Sequence, residues 1–340
     1  MTPRDLLLAR LAQAVPSAKA LTHAQFALEH GLDAEARQIL VSGIRNKGWT
    51  RSSLWSLLPS TMNEASDYWE IRALYMAAPK NAKSLPAALR AVARAACMAN
   101  LHDEARLLLR RMCLNARPLP KIAEEGEGDF SKRAAVALAD LRQSCVVFGT
   151  TPFLISGTLL GYVREGAIIG WDKDIDVGVF GTAESLGELG EKLAANSAFH
   201  VRRIDFVEKR LRVRHWNGVD VDIFLHYQEG DKVWHDGSVT RWWNSPFELK
   251  TVEFIGVEQS VPVDPERYLE ENYGNWRVPD PHFDARYDTP NLEVTDTDYR
   301  DSLLYFSLAD AIRKGNEIKK QRYKDMLLEI DSHKAWLARI

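Results

Sequence analysis

Between Phe153 and Phe180 the chain reads FLISGTLLGYVREGAIIGWDKDIDVGVF, a stretch that few folds accommodate. The apolar run Phe153–Ile155 ends in a turn of small residues, Ser156-Gly157-Thr158, and further on comes Trp171-Asp172-Lys173-Asp174-Ile175-Asp176. Asp174 and Asp176 alternate with Ile175, Val177 and Val179 in the period-two pattern of a strand, so both carboxylates project from one face. At ~5 Å and an effective dielectric of ~20 they repel by roughly 3 kcal/mol. The usual compensation for such crowding is a hard, oxygen-seeking divalent cation.

The same stretch also weighs against a membrane span. From Gln143 to Val163 there are 21 residues without a charge, and Gly157-x-x-x-Gly161 lies among them. Length alone would allow a spanning helix. However, Gly149-Thr150-Thr151-Pro152 and Ser156-Gly157-Thr158 interrupt any continuous helix, so strand, turn and helix in a globular core are expected, with no integral membrane segment. The N-terminal MTPRDLLLARLAQAVPSAKAL is broken by Arg10 and Pro16 and reads as a helix rather than a secretory signal.

The 340 residues, 46% apolar and 27% charged, suffice for two domains with cores of their own. A formal net charge of -3 gives no broad nucleic-acid footprint. Cys97, Cys113 and Cys145 are too scattered for a disulfide framework or a zinc site, and buried reduced thiols fit a cytoplasmic location.

Residues 1–120 read as helix after helix, rich in Ala, Leu and Arg. Ala24-x-x-Ala27-Leu28-x-x-Gly31-Leu32-x-x-Glu35-Ala36-Arg37 recurs as Ala93-x-x-Ala96-Cys97-x-x-Asn100-Leu101-x-x-Glu104-Ala105-Arg106. The offset corresponds to two units of about 34 residues, a period that resembles tetratricopeptide-type helix pairs. A clean middle copy is not visible, and a plain helical bundle is the alternative. A linker is expected over 121–130, where the acidic, Gly-rich run Glu124–Asp129 follows Pro118 and Pro120.

Beyond it, strand-like runs (Val146–Phe148, Phe153–Ile155, Asp174–Phe180, Arg210–His215, Val219–Leu225, Thr251–Ile255) alternate with helical stretches. These include Ser131–Ser144 and Thr182–Ala195, the latter capped by Thr182. The expected class is α+β: an all-α repeat domain, a catalytic domain with a mixed sheet over 131–297, and a helical tail over 298–340.

A Gly-Ser/Thr turn after a strand, Asp-x-Asp on the next strand and a third acid on a later one form the skeleton of polymerase-beta-type nucleotidyltransferases. Backbone N–H groups at the turn and the following helix N-terminus can receive a phosphate. Three carboxylates can hold Mg²⁺ or Mn²⁺, which neutralises phosphate charge and activates a hydroxyl. Val219-Asp220-Val221-Asp222-Ile223 offers two acids on one face, Asp222 as the third ligand or general base and Asp220 as an assistant or solvated neighbour. Asp172 is a candidate supporting group. Arg210, Arg212 and Arg214 alternate on one strand face, there either to draw an anionic substrate or to line a solvated edge with Lys209. His235 and His282 suit turns or the core better than substrate contact. Trp242, Trp243 and Trp276 could form a sugar or base platform, although packing is favoured.

Together, Ser156-Gly157-Thr158-Leu159-Leu160-Gly161-x-x-Arg164, Trp171-Asp172-x-Asp174-Ile175-Asp176, Asp222-Ile223-Phe224 and Tyr273-Gly274-Asn275-Trp276-Arg277-x-Pro279 resemble the fukutin/LicD nucleotidyltransferase-like family over roughly 130–285. The resemblance implies transfer of a phospho-polyol, phosphocholine or sugar phosphate from a nucleotide-activated donor (a CDP-polyol, CDP-choline or nucleotide sugar) to a glycan hydroxyl, in assembly of a surface polysaccharide such as a capsule. It implies that Gly157 and Thr158, with Ser156, contact the donor phosphates and that Arg164 clamps phosphate. On the same grounds Asp174, Asp176 and Asp222 bind the metal. No cysteine has the spacing of the zinc cluster found in some relatives. The helical half then suits docking of a partner protein, and the enzyme would work in the cytoplasm beside the membrane. Two other readings stay open: transfer of a nucleoside monophosphate to a small acceptor, and a helical scaffold with an inactive transferase half.

Overall fold

A computed structural model describes residues 17–29, 31–118, 127–170, 172–205, 209–331 and 333–340. The expected helix before Ser17, the linker over 121–126 and Trp171 lie outside the described residues. The chain divides into two compact units, one formed by Met1–Ile122 with Thr297–Ile340 and the other by Ala123–Asp296. The fold is α+β, with helices before and after a mixed-sheet unit.

In the first unit, helices α1 (Ser17–Glu29), α2 (Asp33–Gly43), α3 (Ser52–Leu57), α4 (Tyr68–Ala77), α5 (Lys80–Lys83), α6 (Pro86–Met98) and α7 (His102–Asn115) follow one another. α1 packs on α2, and α6 on α7. Ser17 and Asp33 open the first pair and Pro86 and His102 the second, an offset of 69 residues for both helices. The turn geometry repeats as well. Gly31 and Asn100 have φ of 66° and 57°, and the N–H groups of Leu32 and Leu101 donate to Ala27 O and Ala96 O at 2.9 Å in both copies. Asparagine tolerates this left-handed conformation better than most residues, so it can stand where the first copy has glycine. Ala24, Ala27, Ala93 and Ala96 are fully buried where the helices approach.

A middle pair, α3 and α4, starts at Ser52 and Tyr68, about half-way between the copies, and both of its helices pack against α6. Its sequence hides the repeat because Pro59 sits in a 3₁₀ turn that ends α3, and a capping box of Glu64 and Asp67 replaces the left-handed turn.

The second unit opens with α8 (Glu127–Val147), which begins inside the expected linker and continues past Ser144. Val146 and Val147, expected in a strand, instead end this helix with their side chains exposed. Their β-branched character matched a strand pattern, yet no neighbouring strand receives them. There follow β1 (Phe153–Leu154), α9 (Ser156–Glu165), β2 (Asp174–Phe180), α10 (Ala183–Ala194), β3 (Phe199–Asp205), β4 (Arg210–His215), β5 (Asp220–Glu229), β6 (Lys232–Asp236), β7 (Thr240–Asn244), β8 (Leu249–Phe254), β9 (Val257–Pro262), α11 (Pro265–Tyr273) and β10 (Leu292–Val294). Thr182 caps α10 as expected, exchanging hydrogen bonds with Ser185.

The sheet runs β10-β7-β6-β5-β2-β1-β9-β8, with β4 also on β5 and β3 beyond it. β2–β5 and β1–β9 are parallel and the other pairs antiparallel. Ile175, Val177, Val179, Leu211, Val213, Val221 and Ile223 form one buried core with Leu138 and Leu141 of α8 and Leu186, Leu189 and Leu193 of α10. Truncating such a side chain to alanine costs about 2–5 kcal/mol. Alternation along β2, β4 and β5 then turns the charged residues of those strands to the opposite face.

The tail consists of α12 (Thr297–Lys314), α13 (Glu317–Ile330) and a 3₁₀ turn, Lys334–Arg339. It does not stand as a separate element: it packs on α6 and α7 within the first unit. Arg90 binds Asp310 through two hydrogen bonds, and Arg110 binds Asp331 at 3.0 and 2.5 Å. Asp331 also accepts hydrogen bonds from Tyr305 and Trp336, a fully satisfied buried carboxylate. All three cysteines are buried and none forms a disulfide. Among the described residues, no helix is long and apolar enough to cross a membrane.

Candidate active site

The parallel register of β2 and β5 sets Asp174 beside Asp220 and Asp176 beside Asp222. Adjacent strands are ~4.8 Å apart, so four carboxylates form a two-by-two block on one face. β4 extends the block on the far side of β5, with Arg212 opposite Asp222 and Arg214 opposite Asp220. Arg210 Nη1 lies 3.0 Å from Asp222 Oδ2, Arg214 Nη1 3.6 Å from Asp220 Oδ2, and Arg212 Nε 4.0 Å from Asp222 Oδ1. The arginines thus neutralise the β5 acids, while the β2 acids face mainly other acids.

Burial, followed by the charges of Asp174, Asp222 and Asp172, pushes the Asp176 carboxyl well above the usual range, and Arg210 offsets only part of this. Asp172 is pushed up to about 7 by burial, by the charge of Asp174 and by a hydrogen bond shared with it. Both carboxyls are therefore proton-hungry, as acids crowded together without enough positive charge should be.

The turn between β1 and α9 places a helix N-terminus against this block. Ser156 takes a φ of 49°, a left-handed conformation that costs a non-glycine residue about 1–2 kcal/mol. The cap residue Ile155 offers no side-chain acceptor, so the first-turn N–H groups are left for an anion. A Cβ on Gly161 would come within 2.5 Å of the backbone Ala167 O, so that position requires glycine, whereas one on Gly157 would come within 2.7 Å of Asp172 Oδ2 and push that carboxylate aside. Thr158 is buried, and its Oγ1 accepts from Asp176 N–H at 2.9 Å. Its hydroxyl oxygen locks the turn to β2 instead of projecting toward a ligand.

Ser156, Gly157, Asp176 and Arg210 line a cavity of about 320 Å³. The other lining residues come from β5–β7, Phe224, His235, Thr240 and Trp242 among them, and from Asn272, Tyr273, Arg286 and Thr289. Rings connect the charged and uncharged walls: Arg210 lies 5.2 Å from the Phe224 centroid, Phe224 5.9 Å from His235, and His235 5.3 Å from Trp242. Arg286 is held by two hydrogen bonds to Asp284.

Asp174, Asp176, Asp220, Asp222, Ser156 and Gly157 are thus brought together, with Arg212 at the edge of the block. Arg164, on the last turn of α9, does not line the cavity itself and pairs with Glu165 at 2.8 Å, yet its charge acts on Tyr273, which does line it. Trp276 is buried in the core, His282 does not line the cavity, and Trp242 does.

His235, which reads in the sequence as a turn or core histidine, is buried as that reading expects and also lines the cavity. Tyr273, Asn272 and Arg286 carried no signal beyond the Tyr-Gly-Asn-Trp motif. The donors of the block are oxygen-only, which suits Mg²⁺ or Mn²⁺ chemically. Among the described residues, no three acidic or histidine side chains are already gathered closely enough to hold a metal ion.

Residues 149–264 match the family model described as LicD/FKTN/FKRP, nucleotidyltransferase domain. The mouse (Mus musculus) protein named ribitol-5-phosphate transferase FKTN is 30% identical over 179 residues, covering 48% of this chain and 37% of that protein. The Homo sapiens protein of the same name is 29% identical over 175 residues, with the same shares. An uncharacterized Caenorhabditis elegans protein is 30% identical over 137 residues, 39% of this chain and 35% of its own. The chain thus spans little more than a third of the length of these relatives. The acid block, His235 and Trp242 fall inside the matched segment, whereas Asn272, Tyr273, Arg286 and Thr289 lie beyond it.

Proposed function

We propose that this chain, which carries a nucleotidyltransferase domain of the LicD/FKTN/FKRP family, is a metal-dependent phosphotransferase that moves a substituted phosphate from a nucleotide-activated donor to a glycan hydroxyl. The observation that carries the reading is the in-register block of Asp174, Asp176, Asp220 and Asp222 beside the uncapped start of α9, with Asp176 of the block and Ser156 and Gly157 of the turn lining one cavity. Neither half alone would favour phosphoryl transfer; an oxygen-only acidic cluster facing a helix N-terminus does.

Asp174, Asp176 and Asp222 would hold Mg²⁺ or Mn²⁺, which when bound neutralises phosphate charge and makes a hydroxyl easier to deprotonate. The N–H groups of Ser156 and Gly157 receive a phosphate oxygen of the donor. Arg210 and Arg212 supply the positive potential that draws the diphosphate in and keep Asp222 oriented. The acceptor oxygen bonds to the phosphorus nearer the transferred group. The bond from that phosphorus to the nucleoside monophosphate breaks, and the nucleotide leaves with the electron pair. The acceptor's proton passes to a carboxylate of β5, Asp220 or Asp222.

The donor group, a polysaccharide context such as a capsule, the cytoplasmic location beside a membrane and the use of the repeated helix pairs as a tetratricopeptide-like docking surface belong to the same proposal. Incubation with Mg²⁺ and a panel of CDP-linked polyols, CDP-choline and nucleotide sugars tests it. Release of CMP or another nucleotide monophosphate, with the phospho-group appearing on a glycan, is the expected result. Transfer of the nucleoside monophosphate itself, or no Mg²⁺-dependent turnover of any donor, would refute it.

A further inference from the structure

We infer that the Thr158 hydroxyl is a positioning group: without touching substrate, it sets the spacing between the anion-receiving start of α9 and the Asp176 carboxylate. The inference rests on the phosphotransferase reading and deepens it. The family resemblance implies a donor-phosphate contact for Thr158, but the hydrogen bonds around it give it a different task.

β1 and β2 pair antiparallel, Phe153 with Gly178 and Leu154 with Val177. The next pair in that register is Ile155 with Asp176, and its two hydrogen bonds part company. The Ile155 N–H donates to Asp176 O at 3.3 Å, as an antiparallel ladder requires. The return bond is displaced. Ile155 O turns to accept from Leu159 N–H at 2.9 Å, the first bond of α9, and Asp176 N–H donates to Thr158 Oγ1 at 2.9 Å instead. One side-chain oxygen thus completes a ladder that the chain abandons where strand becomes helix.

Thr158 lies in the first turn of α9 and is only 2% exposed. Its β-branch restricts the side chain to few rotamers, so the oxygen has little freedom to drift. Both backbone groups of Asp176 are therefore tied to the β1–α9 turn, and its carboxylate starts from a fixed point. A buried backbone N–H without a partner is rare, so removing the oxygen forces β2 and α9 to shift against each other. A phosphate that must meet the helix start and the acids together is sensitive to that shift, since a misplacement of about 1 Å can cost about a hundredfold in rate.

Steady-state nucleotide release from the panel of CDP-linked polyols, CDP-choline and nucleotide sugars, at fixed Mg²⁺, is the test, together with hydrogen exchange of the unliganded protein. Thr158→Val keeps the shape and removes the acceptor; it should lower kcat roughly ten- to a hundredfold with the donor KM nearly unchanged. Thr158→Ser keeps the oxygen and should retain kcat. Before any ligand is added, the Asp176 amide should exchange faster in Thr158→Val than in the unaltered protein, and no faster in Thr158→Ser. Should Thr158→Val fail to fold, Thr158→Ala, which puts no methyl where the hydroxyl sat, takes its place. A raised KM with kcat preserved would make Thr158 a phosphate contact and overturn the inference. Unaltered kinetics without the hydroxyl, or a loss in Thr158→Ser as large as in Thr158→Val, would overturn it too. If the unaltered protein turns over no donor, the phosphotransferase reading falls and the inference falls with it.

Discussion

Aspartate has opposite fates in the two units. In the helical unit Asp331 is buried among donors, with Arg110, Tyr305, Trp336 and the His333 N–H all bonded to it, and despite its burial these donors pull its carboxyl down to about 2. In the sheet unit Asp172 and Asp176 are partly buried among other acids and pushed upward. The same side chain serves stability where donors surround it and is held in an unstable state where acids do. Strain of that kind is expected at a working site and has no place in a structural joint.

The sharpest way to break this contrast is at Asp176. Asp176→Asn should reduce transfer roughly a thousandfold or more while leaving the melting temperature unchanged or raised, since a like-charge repulsion is removed. Steady-state turnover beside a thermal melt checks both halves, and a large loss of stability would contradict the assignment. Asp331→Ala should do the reverse. Leaving Arg110 buried without its partner should cost about 3–5 kcal/mol in a urea titration, with turnover per folded molecule preserved.

The pH profile sharpens the contrast further. Asp331 has a depressed folded value, so its stabilisation is present above the unfolded value of about 4 and is lost as pH falls toward about 2, a loss on the order of 2 kcal/mol. Asp172 has a raised folded value, so it lowers stability progressively as pH rises from about 4 toward about 7. Asp172→Asn should flatten the neutral side of the profile, and Asp331→Asn the acid side; the opposite assignment of slopes would be incompatible with the two environments. The smallest effect is expected at Glu104, which pairs with Arg72 at 2.6 Å on a part-exposed surface. Glu104→Ala should cost less than about 1 kcal/mol and lose even that in high salt.

What could be read in advance followed the local periods. β2 and β4 begin and end where alternation of apolar residues with Asp or Arg said they would, because each strand buries one face. The aromatic strands β6 and β7 escaped notice, since Trp234-His235 and Trp242-Trp243 look the same in a loop, a strand or a core. At the site, the acids and the glycine turn were legible as residue types. Their register was not: the match of Asp174 with Asp220 is fixed by strands more than forty residues apart in sequence, and periodicity says nothing about it. The wall formed by Asn272, Tyr273 and Arg286 is mostly irregular chain, where no period exists to be read.

The tail that packs on α6 and α7 makes the sheet unit an insert within a helical array. Residues 123–296 can be excised as one uninterrupted piece of chain, whereas the helical array needs both flanks. Cutting at Thr297 would strip Arg90, Arg106 and Arg110 of Asp310, Asp298 and Asp331 in a single step. A deletion meant to isolate the front half of this protein would therefore unravel it, and the natural experimental fragment is the middle.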